Sequence, residues 1–323
     1  MPIVPSEIII RKSAVIGDTS ANGGRMTKTA VADQSRNGMF PNFTISERTA
    51  GKTRYRKFFV HVANDEDLAL LDAILFVAAP TPAGDRVTIF AATWDDTQAD
   101  IDAPDQYGAA SLTSTAASGA TSLIVTLEDS SQVIFREGER VRIWDGEDEA
   151  TAEIFTADTV SKDGASVTLG LSGATTKEFA AGSPVSSLMD CGDIEALASV
   201  NVPETDNGEF NDTAVVVDSI GTIAQTITLT FTSATAFSAT SDVLGSLGTG
   251  NIAASFAPIN ADYAKPYFTV PSAAWSGTWE AGDTVAIETT PAAVPFWAEL
   301  VCPAGASGDT DNEITIRLEG GTA

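Results

Sequence analysis

NGMFPNFTISERTAGKTRYRKFFVHV, residues 37–62, decides the reading of this chain. It ends in alternation: Tyr55, Lys57, Phe59 and His61 fall on one face of a strand, and Arg56, Phe58, Val60 and Val62 on the other. Successive strand side chains point to opposite faces, so the pattern predicts a strand covered on both sides. A knot of bases, Arg48, Lys52, Arg54, Arg56 and Lys57, leads into it. No other segment carries positive charge so densely.

Upstream, residues 1–36 read as an extended arm with an edge strand at 8–10 and a clear turn at Asn22-Gly23-Gly24. Downstream, AILFVAA (73–79), the turn PTPAGD and RVTIFAAT (86–93) read as a β-hairpin. Leu68, Leu71, Ile74 and Leu75 have helical spacing, but Pro80 and Pro82 stop the run and favour a strand. Residues 95–120 read as a polar linker. SLIVTLED, VRIWDGED, AEIFTADTV and SVTLGL then form regularly spaced short strands, the signature of a small barrel or sandwich. Residues 190–208 read as a second irregular link, and 212–320 as β again. The expected domains are 1–110 (arm plus β region), 111–190 (a small β-barrel module, possibly inserted) and 191–323 (a C-terminal β domain). An aromatic, Gly and Val at spacing three recur as Phe135/Gly138/Val141, Phe179/Gly182/Val185 and Trp279/Gly282/Val285. The aromatic plugs a core end, the Gly permits a tight turn and the Val starts the next strand.

Length and composition fit a globular chain that can bury a core: 323 residues, 43% hydrophobic, 19% charged. The net charge of −26 is unevenly spread. Residues 1–60 hold ten Lys/Arg against four Asp/Glu, and the remainder eight against forty. An acidic bulk repels nucleic acid and anionic lipid. A basic end on an acidic body suits head-to-tail assembly. Two cysteines, Cys191 and Cys302, make neither a disulfide framework nor a zinc pattern. MPIVPSEIII lacks the features of a signal peptide, and no apolar run reaches the roughly 20 residues that span a bilayer. These features lead us to expect cytoplasmic folding and no membrane insertion.

Chemistry is sparse. Ala50-Gly51-Lys52-Thr53 suggests a phosphate-binding loop, but the Gly required five residues before Gly51 is Ser46. His61 is the only histidine, which rules out a multi-histidine metal site within one chain. Asp95, Asp96, Asp100, Asp102 and Asp105 have oxygen ligands for calcium but lack the EF-hand order, so a solvated linker is the plainer reading. Glu147, Asp148 and Glu149 read as a turn. We expect no enzyme, cofactor or metal. The basic knot suits salt bridges to an acidic neighbour better than nucleic acid, because Tyr55, Phe58 and Phe59 belong to a strand core.

The stretches ERTAGKTRYRKFFVHVAND, DDTQADI, IAQTITLTFTSATAFS, KPYFTVPSAAWSGTWEAGDTVAIETTPAAVPFW and CPAGA resemble structural proteins of tailed-bacteriophage virions. The resemblance implies β-modules joined by Gly/Asp turns and a role in rings or tubes, most like a major tail (tail tube) protein. On that reading the partners are further copies of the chain and other virion proteins, DNA passes as unbound cargo, and Arg48, Lys52, Arg54, Arg56 and Lys57 form a subunit interface. The alternatives are a baseplate or tail-fibre-associated sandwich, a head decoration protein, or, in another class, a secreted carbohydrate-binding β-protein.

Overall fold

The computed structural model describes residues 2–201, 203–308 and 312–322. Strands make up 47% and helices 7%, so the chain is mainly β, built of antiparallel sheets and one closed barrel. In chain order the first strands are β1 (Ile8–Val15), β2 (Gly23–Ala30), β3 (Lys52–Val62), β4 (Leu70–Val77) and β5 (Arg86–Ala91). One short helix, α1 (Ile45–Ala50), leads into β3. The expected arm is a paired hairpin. β1 pairs with β2 on one side and with β3 on the other, Ile10 opposite Val60. β4 is a strand, but it makes no hairpin with β5. It joins a second sheet, and the Pro-containing loop crosses between layers. The reason is burial on both faces: Leu75 and Val77 pack toward β3, while Ile74 and Phe76 join a separate cluster with Leu188.

Six strands then close a barrel: β6 (Tyr107–Leu112), β7 (Ser122–Thr126), β8 (Arg140–Ile143), β9 (Glu153–Asp163), β10 (Ser166–Leu171) and β11 (Pro184–Ser187). Its order is β6-β7-β10-β9-β8-β11, and β11 returns to pair with β6. Alternate residues fill it, as in β7, where Leu123 and Val125 are buried and Ser122, Ile124 and Thr126 exposed. β6 lies within the segment read as linker. Its residues YGAASL are too small and polar to show the alternation.

β12 (Met189–Ile194) runs back to pair with β4, again within a segment read as irregular. A third module follows: β13 (Leu197–Val200), β14 (Gly208–Phe210), β15 (Gln225–Phe231), β16 (Ala236–Ser241), β17 (Gly245–Asn251), β18 (Ile259–Asn260), β19 (Lys265–Pro266), β20 (Trp275–Gly277) and β21 (Thr284–Thr290). Five of them form a sheet, β13-β21-β15-β16-β17. An aromatic core covers it, with Phe231 stacked on Trp279 at 4.5 Å and edge-on to Trp275 at 5.4 Å.

The last strands leave this module. β22 (Ala293–Cys302) inserts between β3 and β5, with Phe296 opposite Phe58 on one side and Ala91 on the other. β23 (Ile316–Thr322) pairs with β4. The chain after residue 292 therefore belongs to the N-terminal body and not to a continuous C-terminal domain. The body is two packed layers, β5-β22-β3-β1-β2 against β12-β4-β23. Phe58, Val60, Phe296, Ala298, Leu300, Val87 and Ile89 meet Leu75, Val77 and Met189 between them. The barrel and the third module are excursions from that body.

The recurrent aromatic–Gly–Val spacing has one geometry throughout. Gly138, Gly182 and Gly282 have φ of 85°, 90° and 104°. Their amides donate to carbonyls of other segments, Ala157, Leu112 and Phe231, at 2.8, 2.8 and 2.9 Å. In each, the residue after the Gly donates back three positions, so the Gly holds the left-handed position of a tight turn. Phe135, Phe179 and Trp279 are buried before the turn, and Val141, Val185 and Val285 after it.

Candidate functional site

The basic knot resolves into intrachain contacts. Thr44 caps α1: its Oγ accepts from the Glu47 amide, and Glu47 accepts from the Thr44 amide. Gly51, at φ 82°, ends the helix and opens β3. The helix-then-strand order is the reverse of a phosphate-binding loop. Glu47 also pairs with Arg54 at 2.8 Å. Asp18, in the loop after β1, bridges Arg54 at 3.1 Å and Arg56 at 2.8 Å. Phe43 and Phe40 stack under the two guanidinium groups. Burial alone would raise the Asp18 carboxyl, but hydrogen bonds from Arg56 and Arg54 outweigh it and hold the group below the usual range.

Arg54, Arg56 and Lys57 are only 6%, 5% and 1% exposed. That corrects the expectation that all five bases face a neighbouring subunit: these three are held by carboxylates of their own chain. Sequence order hides this, because Asp18 and Asp96 reach them from two separate loops and Glu47 from helix α1. Arg48 and Lys52 are half-buried, and Arg48 Nη2 donates to the Ala306 carbonyl at 2.9 Å. Ile45, Arg48, Thr49, Gly305 and Ala306 line a shallow depression of about 280 Å³, and Ile45 stands 86% exposed beside it.

The face of β3 turned away from the two-layer core carries three polar clusters, each seeded by one residue of the alternation. At Tyr55, the facing residue is Glu299 and beyond it Thr88. Glu299 accepts from Tyr55 Oη at 2.9 Å, from Thr88 at 3.3 Å and from Gln106. Burial and the Glu299 charge push the Tyr55 phenol up to about 12, so it stays a donor. This cluster opens on a cleft of about 160 Å³ between body and barrel, lined also by Arg86, Ser131 and Gln132. At Lys57, the ammonium and the Trp297 indole converge on Asp96, at 2.6 and 2.7 Å. At His61, Arg11 Nε donates to Nδ1 at 2.8 Å, and Nε2–H donates to the Ser219 carbonyl at 2.7 Å.

The acids considered for calcium are dispersed. Asp95 pairs with Arg25, Asp96 with Lys57 and Asp105 with Arg136, while Asp100 caps the turn at Thr97. Glu149 bridges Arg142 of the barrel and Arg317 of β23. Among the described residues no three His, Cys, Asp or Glu converge to hold a metal ion. Burial pushes the Cys191 thiol up to about 12 and raises Cys302 as well. Neither thiol is activated as a nucleophile. No helix among the described residues is long and apolar enough to cross a membrane. The chain matches no family model and no curated protein.

Proposed function

We propose that this chain is a structural protein of a tailed-bacteriophage virion, located in the tail, that assembles with copies of itself and other virion proteins into the tube through which DNA passes. The observation that carries the reading is the set of open sheet edges. The long sheet ends at β2, and the second layer of the body ends at β12 on one side and β23 on the other. Open edges present unpaired backbone groups that another copy can complete. Charge supports the passage of DNA. Four of the ten bases in residues 1–60, namely Arg11, Arg54, Arg56 and Lys57, are buried, and three of these are held by Asp18, Glu47 and Asp96, so they are not free to contact phosphate. Backbone affinity for DNA needs several free Lys/Arg contacts, so an acidic wall leaves DNA unbound.

A second reading, a baseplate, tail-fibre-associated or head-decoration protein, is favoured by the two excursions, each with its own hydrophobic cluster. Electron microscopy of the purified protein tests both. Stacked rings or tubes whose inner wall carries more Asp/Glu than Lys/Arg support the tail tube. Monomers or compact trimers without a lumen overturn it in favour of the second reading.

A further inference from the structure

With Arg54, Arg56 and Lys57 held inside the chain, free positive charge of the body gathers beside α1. Arg48 lies on that helix and Lys52 opens β3, and neither has a carboxylate partner among the described residues. Arg48 donates to the Ala306 carbonyl at 2.9 Å, which leaves its charge unneutralised. Arg36 adds a third base from the loop before, partly offset by Asp33. Asp18 and Glu47 are engaged by Arg54 and Arg56. Ile45 stands 86% exposed at the start of α1. The patch thus combines an exposed apolar side chain with unpaired bases.

The opposite sign gathers at the far end of the third module. β13 leaves the body after Ile194 and β21 returns to it before Ala292, and both of those residues pack on Val62, Leu70 and Ala73. The other ends of the two strands meet where Glu204 bridges Thr284. There the segment 204–209 runs beside 276–284: Gly208 faces Gly277, and Thr205 Oγ donates to Asp283. Glu204, Asp206, Glu209 and Glu280 stand exposed on these segments. The carboxylates of Asp206 and Glu280 have no partner among the described residues. Residues 197–290 hold one base, Lys265, and Asp65 and Asp218 engage it.

We propose that these patches are the two halves of one contact between copies of the chain. Ile45, Arg48 and Lys52 of one copy receive the acidic far end of the third module of the next. The contact rests on the self-assembly read above and names the surfaces that meet. The patches do not meet within one chain. The module is fastened at the His61 end of β3, through Ser219, and α1 adjoins the Lys52 end. The 11-residue strand between them spans about 33 Å. Opposite signs on two different surfaces of one protomer make a head-to-tail contact, which closes into a ring or runs on as a filament. Exposed ion pairs contribute little singly. Ile45 supplies the apolar centre such a contact needs, and the charges set partner and register.

Sedimentation velocity of two variants tests this. Ile45→Glu/Lys52→Glu removes the basic patch, and Asp206→Asn/Glu209→Gln/Glu280→Gln neutralises the acidic end. The wild-type chain is expected to form oligomers at about 0.1 M salt that dissociate toward about 1 M, as the screening length falls from roughly 10 Å to 3 Å. Each variant alone should associate about tenfold more weakly or less. An equimolar mixture should form dimers and stop there, since one variant keeps only its acidic end and the other only its basic patch. Should Lys52→Glu unfold the chain, Ile45→Glu alone makes the same test at an exposed position. A monomeric wild type, a monomeric mixture, or either variant assembling like wild type overturns the contact. Micrographs separate this from the tail reading. Tubes in wild type and both variants alike overturn the contact and leave the tube standing. Open chains of copies without a lumen, lost in each variant, uphold the contact and overturn the tube.

Discussion

Asp96 serves two buried donors at once, the Lys57 ammonium and the Trp297 indole, and its backbone carbonyl accepts from the Gly24 amide. Removing one member of a buried ion pair leaves the other charge uncompensated, a loss of about 3–5 kcal/mol. Asp96→Ala is therefore expected to lose that much stability in urea unfolding. The double variant Asp96→Ala/Lys57→Met should recover a large part of it. Asp18 behaves differently because it is partly exposed. Its folded carboxyl sits below the usual 3.8, so its contribution is complete above that value and is lost as pH falls through the lower folded one. Asp18→Asn should weaken the chain at pH 7 and flatten the acid limb of its stability profile, measured by thermal unfolding at several pH values. A variant with an unchanged acid limb would show that the Arg54 and Arg56 bridges contribute nothing at that residue.

At the scale of elements, the three Gly turns make a controlled comparison. A Cβ added at Gly138, Gly182 or Gly282 meets nothing within 4 Å, so substitution strains only the backbone. Alanine at each should cost about 1–2 kcal/mol, similar in barrel and third module, because left-handed φ is the shared cause. Gly23 is the contrast. At φ 116° an added Cβ would also lie 2.7 Å from the Asp96 carbonyl and 2.9 Å from the Trp297 ring. Gly23→Ala should exceed all three in denaturant unfolding. Parity among the four would remove the packing argument. These turns were legible in sequence, since the aromatic–Gly–Val spacing states their chemistry. The capping box of α1 was missed in the sequence, although Thr44-Ile45-Ser46-Glu47 carries its signal. β6, β12 and β13 were not legible, because their small or acidic residues carry no apolar alternation.

For the whole molecule, the return of β22 and β23 sets what can fold alone. The barrel's cluster, from Ala110 to Val185, is self-contained, and its first and last strands pair. Residues 107–187 should fold as an isolated fragment with cooperative thermal unfolding and dispersed NMR signals. A chain ending at residue 292 should not fold its body, because it lacks Phe296, Ala298 and Leu300 from the core and leaves the edges of β3 and β5 that face β22 without a partner. Burying each large apolar side chain contributes about 1.5–3 kcal/mol, against a total stability of about 5–15 kcal/mol for a typical domain. Limited proteolysis of the truncated protein checks this, and a protease-resistant body would refute it.

By itself the sequence determined the β character of the chain, the two faces of β3 and the tight turns at Gly138, Gly182 and Gly282. These are local properties, written in alternation of period two and in residues that tolerate left-handed backbone. Only the tertiary structure decided where β4 pairs, which carboxylates hold Arg54, Arg56 and Lys57, and that the chain ends inside the body it began. Those outcomes depend on contacts between segments up to 258 residues apart, such as Arg48 with Ala306, and no local pattern records which distant partner will neutralise a charge or complete a sheet.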